Sequence, residues 1–296
     1  MNVSPDWIAV DWGSSNLRAF AMRGGEPVAE AASGEGASGL AREDFEPALL
    51  RAIGPWLSEG RVTPVLACGM VGARHGWIEA PYRVVPCAPA APGETILAPT
   101  QDPRLSLRIL PGLSQASPAD VMRGEETQIA GFLAGDPGFA GALILPGTHS
   151  KQARIAGGRV LSFSTWMTGE LFALLSQSSV LRHSLQGVGG EDPAAFAAGV
   201  RIGAGGGALR GLFALRAEGL LEGLPAQAAR SRLSGMLIGA ELTGFDPGGD
   251  CVVIGAGGLA RAYLAALDLL GIPARACDGA ELARRGLALI HEGRGL

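Results

Sequence analysis

The sequence has little cysteine, and what it has is scattered. Its four cysteines, Cys68, Cys87, Cys251 and Cys277, are far apart and show none of the short spacings that hold metal ions. Three of them lie in apolar runs, where cysteine acts as a small hydrophobic residue. This pattern excludes a disulfide-stabilised scaffold and favours a reduced, cytoplasmic environment.

Long apolar runs and clusters of positive charge are also missing. No segment approaches the length of a membrane span, and no basic stretch followed by an apolar one begins the chain, so we expect no signal peptide and no membrane partner. The net charge of -4 argues against a nucleic-acid surface. Lys151 is the only lysine, and it lies in a turn rich in glycine and hydroxyl groups. The 296 residues, 47% of them hydrophobic, suffice for two domains with large cores.

The most informative segment is 7–20. An apolar strand runs into Asp11, and a second apolar strand begins at Leu17. The turn between them is small and polar: Gly13, Ser14, Ser15 and Asn16. Such a turn offers N–H groups and hydroxyls to phosphate oxygens, and the carboxylate beside it suits the Mg²⁺ that accompanies phosphates. The same residue types also form ordinary polar turns, so the rest of the chain must decide.

A second strand–turn–strand follows at 141–155, and its turn aligns with the first when Gly147 is set on Gly13. This match predicts a duplicated architecture. The copies differ at one position of interest, because the second has Leu145 where the first has Asp11.

The remaining pattern alternates strands with helices, which indicates an α/β fold. We expect strands at 7–10, 17–23, 27–32, 62–68, 251–254 and 273–277. We expect helices at 44–57, 119–133, 169–176, 193–202, 208–220, 226–242, 259–270 and 280–291. A boundary near 113–118 predicts an N-terminal domain, 1–115, and a C-terminal domain, 116–296, with a return of the final helix to the first domain left open.

The two hairpins and a late glycine turn at 255–260, in this order, resemble the sugar kinase, actin and Hsp70 superfamily. The resemblance implies an actin-like ATPase (ribonuclease H-like) fold of two lobes with duplicated β-meander/helix domains. It further implies that the hairpins bind the phosphates of ATP and that the glycine turn packs against the adenosine.

Five blocks, 11–18, 69–82, 123–128, 146–151 and 165–171, resemble the 2-dehydro-3-deoxygalactonokinase family and occur in its order. The resemblance runs nearly the whole chain. It implies ATP-dependent phosphorylation of the terminal (6-) hydroxyl of 2-dehydro-3-deoxy-D-galactonate in bacterial galactonate breakdown. The expected partners are ATP and a small sugar acid, and the oligomeric state stays open.

Phosphoryl transfer is mainly positioning and charge neutralisation, which assigns roles to these residues. Asp11 is expected to hold Mg²⁺, directly or through water. The expected phosphate-binding residues are Gly13, Ser14, Ser15, Asn16, Gly147, Thr148 and His149, with Lys151 adding charge. The expected adenosine-side residues are Gly255, Gly257 and Gly258.

The catalytic base is expected on the segment between the hairpins, where Glu125, Glu126 and Asp120 are the candidates. Related kinases usually have an aspartate at the start of the helix that follows. Counting back from Gly131 slightly favours Glu125. Adjacent glutamates are equally typical of an exposed helix start, where negative charge favours the helix dipole.

A sugar-acid carboxylate calls for a guanidinium. Arg74, beside His75 and Trp77 in a glycine-rich loop, is the first candidate, and Arg123 is the second. Hydroxyl groups for the sugar are offered by Ser164, Thr165 and Thr168, which are also typical turn and cap residues.

The late glycine turn also allows an alternative. It follows a strand, opens a helix and precedes Asp278 by about twenty residues, as in a dinucleotide-binding fingerprint. Only two strands remain before the chain stops, too few for such a domain. The alternatives to the leading hypothesis are therefore a kinase of another sugar or sugar acid, an NAD(P)-dependent oxidoreductase, and a nucleotide-binding protein without catalysis.

Overall fold

The computed structural model describes residues 4–186 and 190–293. Its strands are β1 (Trp7–Trp12), β2 (Leu17–Arg23), β3 (Glu26–Ser33), β4 (Thr63–Gly69), β5 (Tyr82–Val84), β6 (Ile96–Leu97), β7 (Leu105–Ile109), β8 (Gly112–Ala116), β9 (Ala119–Met122), β10 (Gly141–Leu145), β11 (Ser150–Ala156), β12 (Arg159–Trp166), β13 (Asp250–Ile254) and β14 (Arg275–Cys277). Its α-helices are α1 (Phe45–Ile53), α2 (Glu125–Gly135), α3 (Thr168–Gln177), α4 (Arg182–Leu185), α5 (Pro193–Ala204), α6 (Ala208–Leu221), α7 (Ala226–Glu241), α8 (Gly257–Leu269) and α9 (Gly279–His291).

The two large sheets share one strand order. The first is β3-β2-β1-β4-β7-β6 and the second is β12-β11-β10-β13-β14. In the first, β1 is antiparallel to β2 and parallel to β4. In the second, β10 is parallel to β13, and β13 is parallel to β14. In both sheets the first strand of the meander, β1 or β10, lies between the second strand of that meander and a parallel strand, β4 or β13. This shared order confirms the predicted duplication.

The described residues group into two compact units. Unit 1 comprises 4–140, 154–163 and 278–293, and unit 2 comprises 141–153 and 164–277, without the three residues that are not described. The division falls at 140 rather than at the predicted 115, because α2 packs along α9 within unit 1. The final helix, α9, accordingly belongs to unit 1.

The predicted helix 119–133 is wrong in its first part. Ala119–Met122 forms β9, which pairs with β8 in an antiparallel hairpin. The helix begins only at Glu125, because Gly124 has a left-handed φ of 100° that the interior of an α-helix does not accommodate.

Unit 1 buries both faces of its sheet, and the side chains of β1 alternate between the two. Ile8 and Val10 pack in the cluster that contains Phe45 of α1, whereas Trp7 packs in the cluster that contains Leu287 of α9. This alternation follows from the two-residue period of a strand. The helices α2 and α9 approach so closely that a Cβ on Gly131 would lie 2.0 Å from a backbone oxygen of α9.

Unit 2 packs helices against the second sheet in a core that includes Ile144 of β10, Val253 of β13 and Tyr263 of α8. Its helices α5 and α7 also cross through glycines, since a Cβ on Gly199 or Gly235 would lie 2.2 or 2.1 Å from the backbone of the other helix. No helix within the described ranges is long and apolar enough to cross a membrane.

Candidate active site

The strands β1 and β4 are parallel neighbours, so their carboxyl ends lie side by side at one edge of unit 1. Asp11 of β1 is paired with Arg18 of β2 and stands beside Cys68 of β4. Burial raises the pKa of Asp11, while the charge of Arg18 and a hydrogen bond from the Cys68 thiol oppose that rise. Asp11 therefore presents its carboxylate at the edge where α/β sheets bind ligands.

The turn after β1 is held by a loop that follows β3. The N–H groups of Ala37 and Ser38 donate to the carbonyls of Gly13 and Ser14 at 3.0 and 3.1 Å. Among the backbone hydrogen bonds of residues 4–186 and 190–293, none has the N–H of Ser14 or Ser15 as its donor. The carbonyls of Gly13, Ser14 and Asn16 accept backbone hydrogen bonds while these two N–H groups donate none to the described backbone, so the turn suits an anion.

Packing within the protein does not require glycine in either predicted phosphate turn. A Cβ on Gly13 would have its nearest neighbour, the Asn16 carbonyl, at 3.7 Å, and a Cβ on Gly147 would have the His149 carbonyl at 4.0 Å. A Cβ on Gly36, by contrast, would lie 2.2 Å from the backbone of the first turn. Close approach of a ligand supplies a reason for glycine at the two turns that packing does not.

The start of α2 brings two glutamates to the same edge of unit 1. Gly124 lies against Gly69, the last residue of β4. A Cβ on Gly124 would lie only 3.3 Å from the Gly69 Cα. Glu126 is 2% exposed and accepts the N–H of Gly124 at 2.7 Å and the hydroxyl of Thr127 at 3.0 Å. Burial, reinforced by the charge of Glu125, raises the pKa of Glu126 to about 8.

Glu125 is the more accessible of the two carboxylates, being half-buried, and its Oε2 accepts the N–H of Arg123 at 3.1 Å. Glu126 faces inward, where its charge acts on Cys68. Burial raises the pKa of the Cys68 thiol well above its usual range, and the charges of Asp11 and Glu126 raise that pKa further. Cys68 thus contacts Asp11, at 3.9 Å, and lies within the electrostatic influence of Glu126.

Asp120, the third candidate base, lies on β9 rather than at the helix start. Its Oδ1 accepts the N–H of Val121 at 2.7 Å. The sequence predicts Asp120 on a helix, a turn or more before the glutamates, and the β8–β9 hairpin removes that relation.

The loop predicted to bind substrate places one of its three candidate residues in the core. Arg74 is exposed and forms a 3.5 Å ion pair with Glu79, and His75 is also exposed. Trp77, expected at the substrate, is instead 6% exposed and packs edge-on against Trp12 with ring centroids 6.4 Å apart. Trp77 therefore anchors the loop in the core, and its contact with substrate stays a prediction.

Arg123, the second carboxylate candidate, is 8% exposed. Its guanidinium lies 4.1 Å from the ring centroid of Tyr82 and donates to the Ala80 carbonyl and, at 3.3 Å, to the Tyr82 hydroxyl. It therefore ties the segment before α2 to the substrate loop. Tyr82 was missed in the sequence, where an aromatic residue between prolines gave no signal.

In unit 2, the start of α3 fixes the second turn. The N–H of Glu170 donates to the Thr148 carbonyl at 2.9 Å, and the carboxylate of Glu170 lies 2.5 Å from Nε2 of His149. A Cβ on Gly169 would lie 2.3 Å from the Gly147 carbonyl, so glycine is required there. Lys151, at the start of β11, is 5% exposed, so its side chain is enclosed by the protein and does not extend into solvent.

The late glycine turn lies beside the second phosphate turn, because β10 and β13 are parallel neighbours. A Cβ on Gly255 would lie 3.7 Å from Pro146, and the N–H of Gly255 donates to the Cys277 carbonyl at 2.9 Å. Gly257 begins α8 with a left-handed φ of 63°. The turn thus joins two strand ends at the carboxyl edge of unit 2.

A cavity of about 680 Å³ borders this turn in unit 2. It lies among α3, α5, α7 and α8, and its lining includes Phe172, Phe196, Glu191 and Arg261. A Cβ on Gly258 would lie 3.5 Å from Glu191 and 3.7 Å from Arg261, which places the glycine turn at the cavity wall. The volume and aromatic lining suit a flat organic group such as a nucleobase.

Three predicted hydroxyl residues have different surroundings. Ser164 and Thr165 are half-buried on β12. Thr168 is 8% exposed, and its hydroxyl donates to Glu241, so this hydroxyl is engaged within the protein and its contact with the sugar stays a prediction. Glu241 itself was missed; the signal was an acid at the end of an otherwise apolar run, 236–242.

Two units of one topology, each with a glycine turn at the carboxyl edge of its sheet, define the actin-like ATPase fold. The activator of the 2-hydroxyisocaproyl-CoA dehydratase from Clostridium difficile, solved with bound ADPNP, shares this fold with a TM-score of 0.51 at 12% identity over 96% of this chain and 93% of that one.

Within that class the chain belongs to the 2-keto-3-deoxy-galactonokinase family, whose model matches residues 11–290. The chain is therefore a kinase. The probable 2-dehydro-3-deoxygalactonokinase DgoK1 of Rhizobium meliloti (strain 1021) is 39% identical over 97% of both chains. The 2-dehydro-3-deoxygalactonokinase of Escherichia coli (strain K12) is 38% identical over 80% of this chain and 79% of that one. The crystal structure of a 2-dehydro-3-deoxygalactonokinase candidate from Sinorhizobium meliloti matches with a TM-score of 0.88 at 38% identity, over 97% and 96% of the two chains.

Proposed function

We propose that this kinase transfers the γ-phosphoryl group of ATP to the terminal 6-hydroxyl of 2-dehydro-3-deoxy-D-galactonate, as a cytoplasmic step of galactonate breakdown. The observation that carries the proposal is the edge of unit 1, where Asp11, the turn with two unused N–H groups and the start of α2 converge. The identity of the sugar acid rests on the names of the curated relatives.

The donor set of unit 1 fits nucleotide-bound Mg²⁺. No group of three or more metal-ligating side chains occurs in the part of the chain that the structure describes. Mg²⁺ on a nucleotide needs few protein ligands, because phosphate oxygens and water complete its shell. Asp11 is the carboxylate we assign to it. The bound Mg-ATP supplies the phosphoryl group and the leaving group.

The phosphate contacts are assigned to Ser14, Ser15 and Asn16 of the first turn and to Thr148 and His149 of the second. Absence of a side chain at Gly13 and Gly147 lets phosphate oxygens approach the backbone. The cavity beside Gly258 is assigned to the adenosine, with Phe172 and Phe196 available to contact the base. The two sets of contacts orient the nucleotide for attack on its last phosphorus.

We assign the catalytic base to Glu125. A base must be ionised and within reach of the attacking hydroxyl. Glu126 is buried and, with a pKa of about 8, mostly protonated at neutral pH. A neutral Glu126 places no like charge beside Glu125, whereas two ionised neighbouring carboxylates would repel each other. Glu125 accepts the proton of the terminal hydroxyl as the hydroxyl oxygen attacks the γ-phosphorus of ATP.

The substrate carboxylate is assigned to Arg74, with His75 beside it, since Arg74 is exposed and its pairing with Glu79 is weak at the surface. Ser164 and Thr165 are assigned to sugar hydroxyls. Arg123 orients Glu125 through its backbone N–H and holds the substrate loop through Ala80 and Tyr82.

The dinucleotide alternative loses its key residue. Asp278, which would bind a ribose in that alternative, caps α9 by accepting the N–H groups of Ala280 and Glu281, both at 2.9 Å. Its carboxylate is therefore engaged at a helix start.

A coupled ADP-release assay across keto-deoxy sugar acids and neutral sugars tests the proposal. We expect the highest kcat/KM for 2-dehydro-3-deoxy-D-galactonate and a ³¹P-coupled NMR spectrum that places the phosphate on C6. A preference for a neutral sugar, or a phosphate at another carbon, contradicts the assignment. Stabilisation by NADH but not by Mg-ATP in a thermal-shift assay contradicts the kinase chemistry itself.

A further inference from the structure

Unit 2 contains a carboxylate buried behind the second phosphate turn. Glu241, the last residue of α7, is 1% exposed. Its side chain accepts the hydroxyl of Ser150 at 2.7 Å and the hydroxyls of Thr168 and Tyr263. The side-chain amide of Gln152 donates to its backbone carbonyl at 3.1 Å.

Burial of this carboxylate is costly, and burial raises the pKa of Glu241 while the hydrogen bonds from Thr168, Tyr263 and Ser150 lower it. An apolar side chain would fill the same place without that cost. Neutral donors directed at one carboxylate instead fix the geometry of the elements that carry them, because each bond is lost if its element shifts.

The three hydroxyl donors come from three separate elements. Ser150 begins β11 and closes the second phosphate turn. Thr168 begins α3, whose next two residues contact that turn through Gly147 and Thr148. Tyr263 lies on α8, the helix that starts at the glycine turn beside the cavity. Each element therefore contributes to the part of the nucleotide site assigned to unit 2.

We propose that Glu241 is a positioning residue for the nucleotide: it holds the second phosphate turn in register with α3 and α8 without touching the ligand. This inference rests on the proposed function, because it takes the second turn as a phosphate-binding element. It assigns the nucleotide's phosphate affinity partly to a side chain one layer behind the site.

The test uses Glu241→Gln, which keeps the size of the side chain but replaces one accepting oxygen with a donor. We expect KM for ATP and Kd for ADP to rise by about 10- to 100-fold, since small misplacement of a binding group has effects of this size. KM for the sugar acid should stay unchanged, and Kd for adenosine, which lacks phosphates, should rise much less than Kd for ADP. A role in core packing alone lowers the melting temperature without separating ADP from adenosine.

Two further variants remove single donors, Ser150→Ala and Tyr263→Phe, and keep the proposal testable if Glu241→Gln fails to fold. Both should weaken ADP more than adenosine. Glu218→Gln is the matched control, because it breaks a 2.5 Å ion pair with Arg232 elsewhere in unit 2. It should change stability and leave both affinities unchanged.

ADP affinity within two-fold of wild type in folded Glu241→Gln, or in both single-donor variants, overturns the proposal. Direct ADP titration separates this outcome from failure of the proposed function. A wild-type protein that binds ADP but does not phosphorylate the keto-acid refutes the substrate while leaving the Glu241 comparison valid. A wild-type protein that binds neither ATP nor ADP refutes both.

Discussion

The two turns assigned to phosphate follow equivalent strands of the two sheets, β1 and β10, and have acids in different places. In unit 1 the acid is Asp11, on the strand that enters the turn. In unit 2 the equivalent position is Leu145, which is 3% exposed, and the acid is Glu241, reached through Ser150 from a helix behind the turn. The two copies thus share the strand order, while a carboxylate on the strand that enters the turn occurs only in the first. We infer that the acid of the first turn acts at the ligand, whereas Glu241 fixes the geometry of the second turn from behind.

The largest expected effect separates these roles. Asp11→Asn should lower kcat by about 100- to 1,000-fold, because it removes the charge that faces the metal-bound phosphates while keeping the shape. The assay is ADP release at saturating Mg-ATP, with the melting temperature as a check of folding. Asp6→Asn is the matched control: Asp6 lies at the other end of the same strands, where it accepts the N–H of Gly24 at 3.0 Å. Unaltered turnover in Asp11→Asn removes Asp11 from the mechanism.

Next in size is the contrast between the two glutamates of α2. Glu125→Gln should lower kcat by about 100- to 10,000-fold through loss of the base. Glu126→Gln should keep kcat within about 10-fold at neutral pH, since Gln reproduces the size of a carboxyl group that is already mostly neutral. Steady-state kinetics at saturating substrates distinguish the two. The reverse ranking would transfer the role of base to Glu126.

The glycines of the turns test whether both turns meet phosphate. Gly13→Ala and Gly147→Ala should each raise KM for ATP by about 10-fold, because the methyl group occupies space that the ligand uses. Both proteins should fold normally, since the added Cβ has no close neighbour in either turn. Gly36→Ala and Gly169→Ala should instead lose stability, because a Cβ there would lie 2.2 or 2.3 Å from backbone atoms. If only one of Gly13→Ala and Gly147→Ala raises KM for ATP, the two turns do not contact the ligand in the same way.

The sequence predicted what is local. Both hairpins and the late glycine turn could be recognised because each strand is a contiguous apolar run and each turn follows it directly. The strand at 119–122 was missed because its pairing with β8 is a tertiary contact that outweighs a helical pattern. The Glu241 cluster could not be found because its donors, Ser150, Thr168 and Tyr263, are brought together only by the fold. The burial of Trp77 was not predicted for the same reason, since it depends on Trp12 in a distant strand.

The smallest expected effect concerns stability and pH, and it compares the buried acids of the two units. In unit 1, the pKa of Glu126 rises from 4.5 to about 8 on folding, so the unfolded chain holds fewer protons between these values. Stability linked to Glu126 is therefore complete below pH 4.5 and is lost as the pH rises through 8. Glu126→Gln removes this titration, and its melting temperature should exceed that of wild type by a few degrees, roughly 2–5 °C, at pH 8.5.

Thermal unfolding from pH 5 to 9 measures the difference, and the advantage of Glu126→Gln over wild type should grow with pH. Glu241→Gln is the informative partner. Burial raises the pKa of Glu241 too, but three hydroxyl donors oppose the rise by favouring its ionised form. Loss of those bonds should make Glu241→Gln less stable than wild type at neutral pH. If the melting temperature rises in Glu126→Gln and falls in Glu241→Gln, burial of Glu126 destabilises unit 1, whereas the hydrogen bonds to Glu241 stabilise the second turn. If the melting temperature rises in both variants, the hydrogen bonds to Glu241 do not offset the cost of its burial.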